Sequence, residues 1–331
     1  MLKTYKLYMQ TILGLFVCCF GLLACGDYGF TVHVIYSENG RGDVGMNDSS
    51  FISVVKARDA IDATVVQWTP KDFDEAGYLL TSVLAEPLRS PDELIILVGE
   101  TYDSLVSQVE CQFRARKVLH IEGLDADCSK VQTVDFKTYA ASYMAGVAAA
   151  NASQTGIVSV VGGALTRDIS ESVSGFIDGA NSAGAIASST YLSASQNGFN
   201  NYDEGYRMAT EMFSQDSVDV IFVAAGATGL GVLEAAKQGT DRYVIGYEFD
   251  LSESGSNVVL GSVVKDLDSF ILDGMQKTMD GDFDSGHLTT GLEEGSVSFS
   301  VNENLSGIIG TEHLNVRDTA LAAEAQYREA L

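Results

Sequence analysis

Residues 218–250, VDVIFVAAGATGLGVLEAAKQGTDRYVIGYEFD, leave this chain few ways to fold. Residues 218–225 are a short, β-branched apolar run interrupted only by Asp219, as a strand buried on both faces requires. Gly226, Gly229 and Gly231 then break the run, residues 230–237 carry helical spacing, and Gly239 stops the helix. A second strand begins at Tyr243. Such a strand–helix–strand unit brings a loop and a helix N-terminus to the carboxyl end of a parallel sheet, where ligands bind. The turn invites a dinucleotide reading, but its glycines fall as G-x-x-G-x-G and not G-x-G-x-x-G. No cofactor is therefore expected, and the acid about 20 positions on, Glu248, is one of 45 acids.

The same alternation fills the chain. Strands are expected at 31–37, 64–68, 93–98, 117–121 and 129–134, with helices at 51–61, 70–84 and 105–114 between them. A second series follows: helix 139–152, strand 156–161, helix 168–183, strand 189–195, helix 202–213, and then the unit just described. Strand 258–264, helix 266–281, strand 295–302 and an alanine-rich helix at 317–331 close the chain. The fold class is α/β, two Rossmann-like lobes of parallel sheet covered by helices. Residues 31–136 with about 251–285 are expected in the first lobe, and 137–250 with about 286–331 in the second. The crossings then fall near 136–139 and 247–250, and lobes without a long linker suit closure on a ligand.

The amino terminus stands outside that fold. Lys3 and Lys6 precede an apolar stretch, residues 7–23, which ends in Leu22-Leu23-Ala24-Cys25. The three parts read as a secretion signal over residues 1–24, leaving 25–30 as a short linker. Without the signal, 18 lysines and arginines face 45 acids, a formal charge of −27. Such a surface repels phosphate backbones and anionic lipid, so nucleic acid is not an expected partner. Cys111 and Cys128 remain as a pair in a compartment that permits disulfides, either bridged or as two separate buried thiols. No metal-ligand spacing accompanies them.

Catalytic patterns are missing. His33, His120, His287 and His313 have no nucleophile motif around them, and nothing fixes a separation between two carboxylates. Binding chemistry is better represented at strand ends: Ser37, Asp43, Met46 and Asn47 in one lobe, and Phe199, Gly226, Thr228, Glu248 and Asp250 in the other. Lys265, after the strand sequence GSVV, joins them. An aromatic ring, a thioether, hydroxyls, an amide, acids and a cation suit a small polar molecule with an apolar face.

These motifs, in order, resemble the basic membrane protein family of ABC-transporter solute-binding lipoproteins. The matching residues are Gly42-Asp43-Val44-Gly45-Met46-Asn47-Asp48-Ser49 (family pattern GxGFNDS), 141–146 (ASYMAG), and Thr155-Gly156 with Gly162-Gly163. They continue through Gly175-Phe176 with Gly179 (GFxxG), Ala225 to Gly231, Gly246 to Asp250 (GVDxD) and 262–265 (SVVK). The Leu-Leu-Ala-Cys ending resembles a lipobox, which implies an acylated Cys25 tethering the protein to a membrane outside the cytoplasm. The resemblance also implies a type I periplasmic-binding architecture with three hinge strands, a nucleoside-like ligand in the cleft and an ABC permease as partner. In the family's nucleoside receptors two phenylalanines sandwich the base while acids and a lysine hold the sugar. By motif, Phe199 falls on one of those rings, Glu248 on an acid and Lys265 on the lysine. Met46 replaces the other phenylalanine, and Ser37 replaces an aspartate.

The expected function is a lipid-anchored solute-binding protein of an ABC importer, not an enzyme, which closes its lobes on a nucleoside or related solute. A receptor of the same fold that senses ligand for a membrane signalling partner is the alternative.

Overall fold

The computed structural model describes residues 29–38, 40–109, 111–113, 115–193 and 196–330; the expected signal segment and Cys25 lie outside them. Two six-stranded sheets form the frame. The first has the order β11-β5-β4-β3-β1-β2 and the second β12-β10-β9-β8-β6-β7. In the first, β1 (Thr31–Ile35) lies between β2 (Thr64–Trp68) and β3 (Glu93–Val98), with β4 (Lys117–Ile121) and β5 (Val131–Phe136) beyond. In the second, β6 (Ile157–Ala164) lies between β7 (Ile186–Ser193) and β8 (Val220–Ala224), followed by β9 (Tyr243–Glu248) and β10 (Val259–Lys265). All these pairings are parallel; β12 (Val297–Val301) alone runs antiparallel, against β10. Parallel strands covered by helices on both faces are mostly apolar, and β1, β3 and β8 are buried at every residue.

Helices flank each sheet. In the first lobe these are α1 (Met46–Ile61), α2 (Phe73–Ala85) and α3 (Tyr102–Gln108). In the second they are α4 (Tyr139–Ala152), α5 (Arg167–Ser182), α6 (Tyr202–Gln215) and α7 (Thr228–Lys237). The small-residue sequence of α4 lets it press against α5. A Cβ on Gly146 would sit 2.2 Å from the Phe176 carbonyl oxygen, and one on Gly179 would sit 2.0 Å from that of Tyr143. Either addition would force the helices apart and open the core between them.

The crossings between lobes differ from the sequence expectation. The chain passes over after β5, and because β9 and β10 pair in parallel it remains in the second sheet until Lys265, not Tyr247–Asp250. It then returns to lay α8 (Asp268–Asp280) against α1. A strand not expected from the sequence, β11 (Gly286–Thr290), adds to the first sheet beside β5 before the third crossing to β12. Relative to the expected division, β10 therefore moves to the second lobe and β11 to the first. The terminal helix α9 (Arg317–Glu329) packs on α4. Cys111 and Cys128 are joined, with Cα atoms 5.5 Å apart, and tie the turn after α3 to the loop before β5.

Candidate functional site

Both sheets have the β-strand order in which the first strand separates its neighbours to either side, so each has a switch point at its carboxyl edge. The two edges face one another across a cavity of about 80 Å3. Nearly every lining residue follows the end of a strand: Ser37 after β1, Gly99, Glu100 and Thr101 after β3, and Glu122 after β4. From the second lobe come Thr166 and Asp168 after β6, Phe199 after β7, Gly226 after β8 and Glu248 at the end of β9. Small-molecule sites occupy roughly 300–1,000 Å3, so the lobes stand closed and must part to admit a ligand of that size.

Six of the expected residues line this cavity: Ser37, Asp43, Met46, Phe199, Gly226 and Glu248. Met46 from the first lobe, and Phe199 with Ile169 from the second, supply its apolar surface. The Phe199 ring lies against Gly163, where a Cβ would come within 2.5 Å of it, so only glycine leaves the ring its place. Gly226 has φ of +53°, and a Cβ there would lie 2.8 Å from the Asp43 carbonyl oxygen across the cleft. Gly229 and Gly231 do not reach the cavity; a Cβ on either would strike Val223 or the Tyr202 backbone within the second lobe.

Asn47, Thr228 and Lys265 stand behind the lining. Asn47 is fully buried, and its Nδ2 donates to Ser37 Oγ (2.8 Å), the Gly40 carbonyl (3.1 Å) and Asp43 Oδ2 (2.9 Å). It braces the loop that carries Ser37 and Asp43. Thr228 plays a matching part, donating to the Gly198 carbonyl and accepting from the Asn201 N–H, both at 2.8 Å, which holds the turn bearing Phe199. Asp250 points elsewhere: it is exposed and accepts from the Ser252 N–H at 2.9 Å.

Lys265 organises the floor. Its buried Nζ lies 2.6 Å from Glu122 Oε1, 3.0 Å from Asp168 Oδ2 and 3.2 Å from Glu248 Oε1. Tyr247 donates its hydroxyl to Asp168 Oδ1 at 2.6 Å. Burial pulls the Lys265 ammonium down, but its neighbours, Asp168 foremost, outweigh that and hold it well above the ordinary lysine range. Burial pushes Glu122 well above the carboxylate range and Glu248 up to about 7, each against the pull of Lys265. Burial likewise raises Asp43 to about 6, although it accepts from the N–H groups of Gly45, Asn47 and Asp48. Glu122 and Glu248 both hold left-handed backbone, φ 62° and 63°, a strain that packed surroundings must sustain. Glu122 Oε2 is buried without a hydrogen-bond partner. Such a group costs free energy until something donates to it.

Glu100, Glu122 and Asp168 were not singled out from the sequence. Gly99-Glu100 and Glu122-Gly123 each place an acid beside a glycine at a strand's carboxyl end, a signal that marks the first two but not Asp168. The floor can accept several hydrogen bonds from hydroxyl or amine donors, while Met46 and Phe199 can cover a flat face.

Residues 35–327 match the family described as ABC transporter substrate-binding protein, PnrA-like. Basic membrane protein D of Borreliella burgdorferi is 34% identical over 271 residues, 80% of this chain and 76% of that protein. The CD4+ T-cell-stimulating antigen of Listeria innocua is 27% identical over 325 residues, 91% of this chain and 86% of the relative. Among solved structures, an ABC transporter solute-binding protein from Aeropyrum pernix superposes with a TM-score of 0.77 at 20% identity, covering 88% of this chain and 90% of that one.

Proposed function

The chain belongs to the PnrA-like family of ABC transporter substrate-binding proteins, and from that membership we propose that it captures a nucleoside, or a closely related polar solute, for import. As a member of the family it works outside the cytoplasm, takes a small-molecule ligand, engages a permease and binds its ligand without transforming it. The finer reading is supported above all by one juxtaposition. Met46 and Phe199 face the same cavity as the hydrogen-bond acceptors Asp43, Glu122, Asp168 and Glu248. A nucleoside has a flat ring system to pack between the first two and sugar hydroxyls to donate to the others. The lobes part at the three crossings, the ligand enters, and closure brings α1 and α5 toward each other over it.

Membrane attachment through an acylated Cys25 completes the proposal, since a protein of this charge has no basic patch to hold anionic lipid. Calorimetry of ligand-free protein against a panel of purine and pyrimidine nucleosides tests the ligand. Saturable binding by at least one of them is expected; binding of another solute while every nucleoside fails would overturn the assignment.

A further inference from the structure

Two helix N-termini open on the cavity, and the chain's own carboxylates already fill both. At α1, Asp43 accepts from the N–H groups of Asn47 and Asp48, each at 3.2 Å. At α5 the acceptor comes from the opposite lobe: Glu100 takes the Arg167 N–H at 3.3 Å and the Asp168 N–H at 3.0 Å. A free helix N-terminus at a cleft is a ready receptor for phosphate or carboxylate.

No other group at the cavity could take over that role. None of its lining residues is a lysine or arginine, while five are acids: Asp43, Glu100, Glu122, Asp168 and Glu248. Lys265 behind them is shared among three carboxylates. Arg167, beside the N-terminus of α5, is committed to Asp103 (3.3 Å), the Glu122 carbonyl (2.9 Å) and Asp135 (3.7 Å). Glu122, only 4% exposed, keeps one oxygen without a partner, which a ligand hydroxyl can pair with.

We propose that Glu100 is a specificity-determining residue: it occupies the N-terminus of α5 from across the cleft in place of a ligand anion, so that the site takes neutral, hydroxyl-rich solutes and refuses phosphorylated ones. Of the five acids, Glu100 alone accepts from backbone N–H groups of the other lobe. Exchanging it for glutamine removes the charge and leaves one acceptor oxygen for the two N–H groups, so one of them is freed toward the cavity. Neutralising Glu248 or Glu122 would free only Lys265. Because the same contact joins the lobes, Glu100 also favours their approach before any ligand arrives, in keeping with the closed cavity.

The proposal rests on the nucleoside reading for its first test and stands free of it in the second. In the first, wild type and Glu100→Gln are titrated by calorimetry with nucleosides and their 5′-monophosphates. Wild type should bind the monophosphate at least about tenfold more weakly than the parent nucleoside, and Glu100→Gln should narrow that ratio by about tenfold. An unchanged ratio in the variant, or equal affinities in wild type, would overturn the proposal. In the second, thermal melting is followed with added inorganic phosphate, against chloride at matched ionic strength. Glu100→Gln should gain a phosphate-dependent rise in Tm that wild type lacks. A rise in both proteins, or in neither, would overturn it. Failure of every nucleoside to bind would refute the ligand assignment and leave the phosphate comparison to decide the role of Glu100. Should Glu100→Gln fail to fold, the wild-type ratio and the wild-type response to phosphate still decide.

Discussion

Lys265→Met removes the one cation among three carboxylates at the cavity floor while keeping all but the last atom of the side chain's length. Breaking a buried ion pair by deleting one partner costs about 3–5 kcal/mol, because the remaining charge is stranded. Here the stranded groups have an escape: they can take up protons. Glu122 and Glu248 are already raised by burial, and losing the pull of Lys265 raises them further. A carboxyl whose folded value lies above its unfolded one contributes stability that is fully present below the unfolded value and is lost as pH rises through the folded value. Each carboxyl that the variant keeps protonated, and wild type does not, costs about 1.4 kcal/mol per pH unit. Wild-type Glu248 itself stays protonated up to about 7, so the two proteins diverge above that; between about pH 7 and about pH 9 one such group accounts for about 3 kcal/mol, which is most of the penalty. The variant should therefore melt roughly 5 °C below wild type near pH 9 and close to it near pH 5. Scanning fluorimetry across that range, with circular dichroism to confirm folding, measures both differences. A deficit of the same size at both ends would refute the reasoning, and so would no deficit near pH 9.

Other perturbations separate the remaining contributions. Phe199→Ala should weaken nucleoside binding by about 1–3 kcal/mol, the worth of one base stacked on a ring, with Phe199→Tyr recovering most of it; equal affinities for all three proteins would remove the ring from the site. Replacing Cys111 and Cys128 together by serine opens a loop of 17 residues and should lower denaturant-derived stability by about 3 kcal/mol; an unchanged midpoint would show the bridge to be idle. Cys25→Ser should move the protein from the detergent phase to the aqueous phase in a phase-partition assay; retention with detergent would place its attachment elsewhere.

Much of this fold can be read from the alternation of apolar runs and helical stretches, since a strand buried on both faces is written mostly in apolar residues. β1 keeps Thr31 and His33 among its apolar residues, while β3 after Glu93 and β8 throughout show it plainly. β11 does not: its residues GHLTT lie at a sheet edge, mostly exposed, and nothing in such a sequence separates strand from loop. The misplaced crossing has the same origin. Whether β10 stays with β9 is decided by pairing between Val244 and Val259 and along the strands beyond, a long-range fact that local periodicity does not contain. At the site, Phe199 and Met46 stand out because large apolar groups at strand ends are uncommon. Glu100, Glu122 and Asp168 are hidden among 45 acids. Asn47 and Thr228 carry the right chemistry at the right loops, yet their hydrogen bonds are spent on backbone and neighbouring side chains. Only the distances reveal that they brace the loops and do not line the cavity.

The exchange of β10 and β11 between the lobes bears on how the protein is made. A chain exported amino-terminus first presents β1 to β5 early, but the strand that covers the outer edge of β5 arrives only after the greater part of the second lobe. Until Gly286–Thr290 emerge, that edge offers a row of unpaired N–H and carbonyl groups to any other extended chain. Synthesis halted before β11 would leave a sticky, unfinished sheet and not a usable half-protein, and neither lobe can be cut out as one continuous segment of the chain.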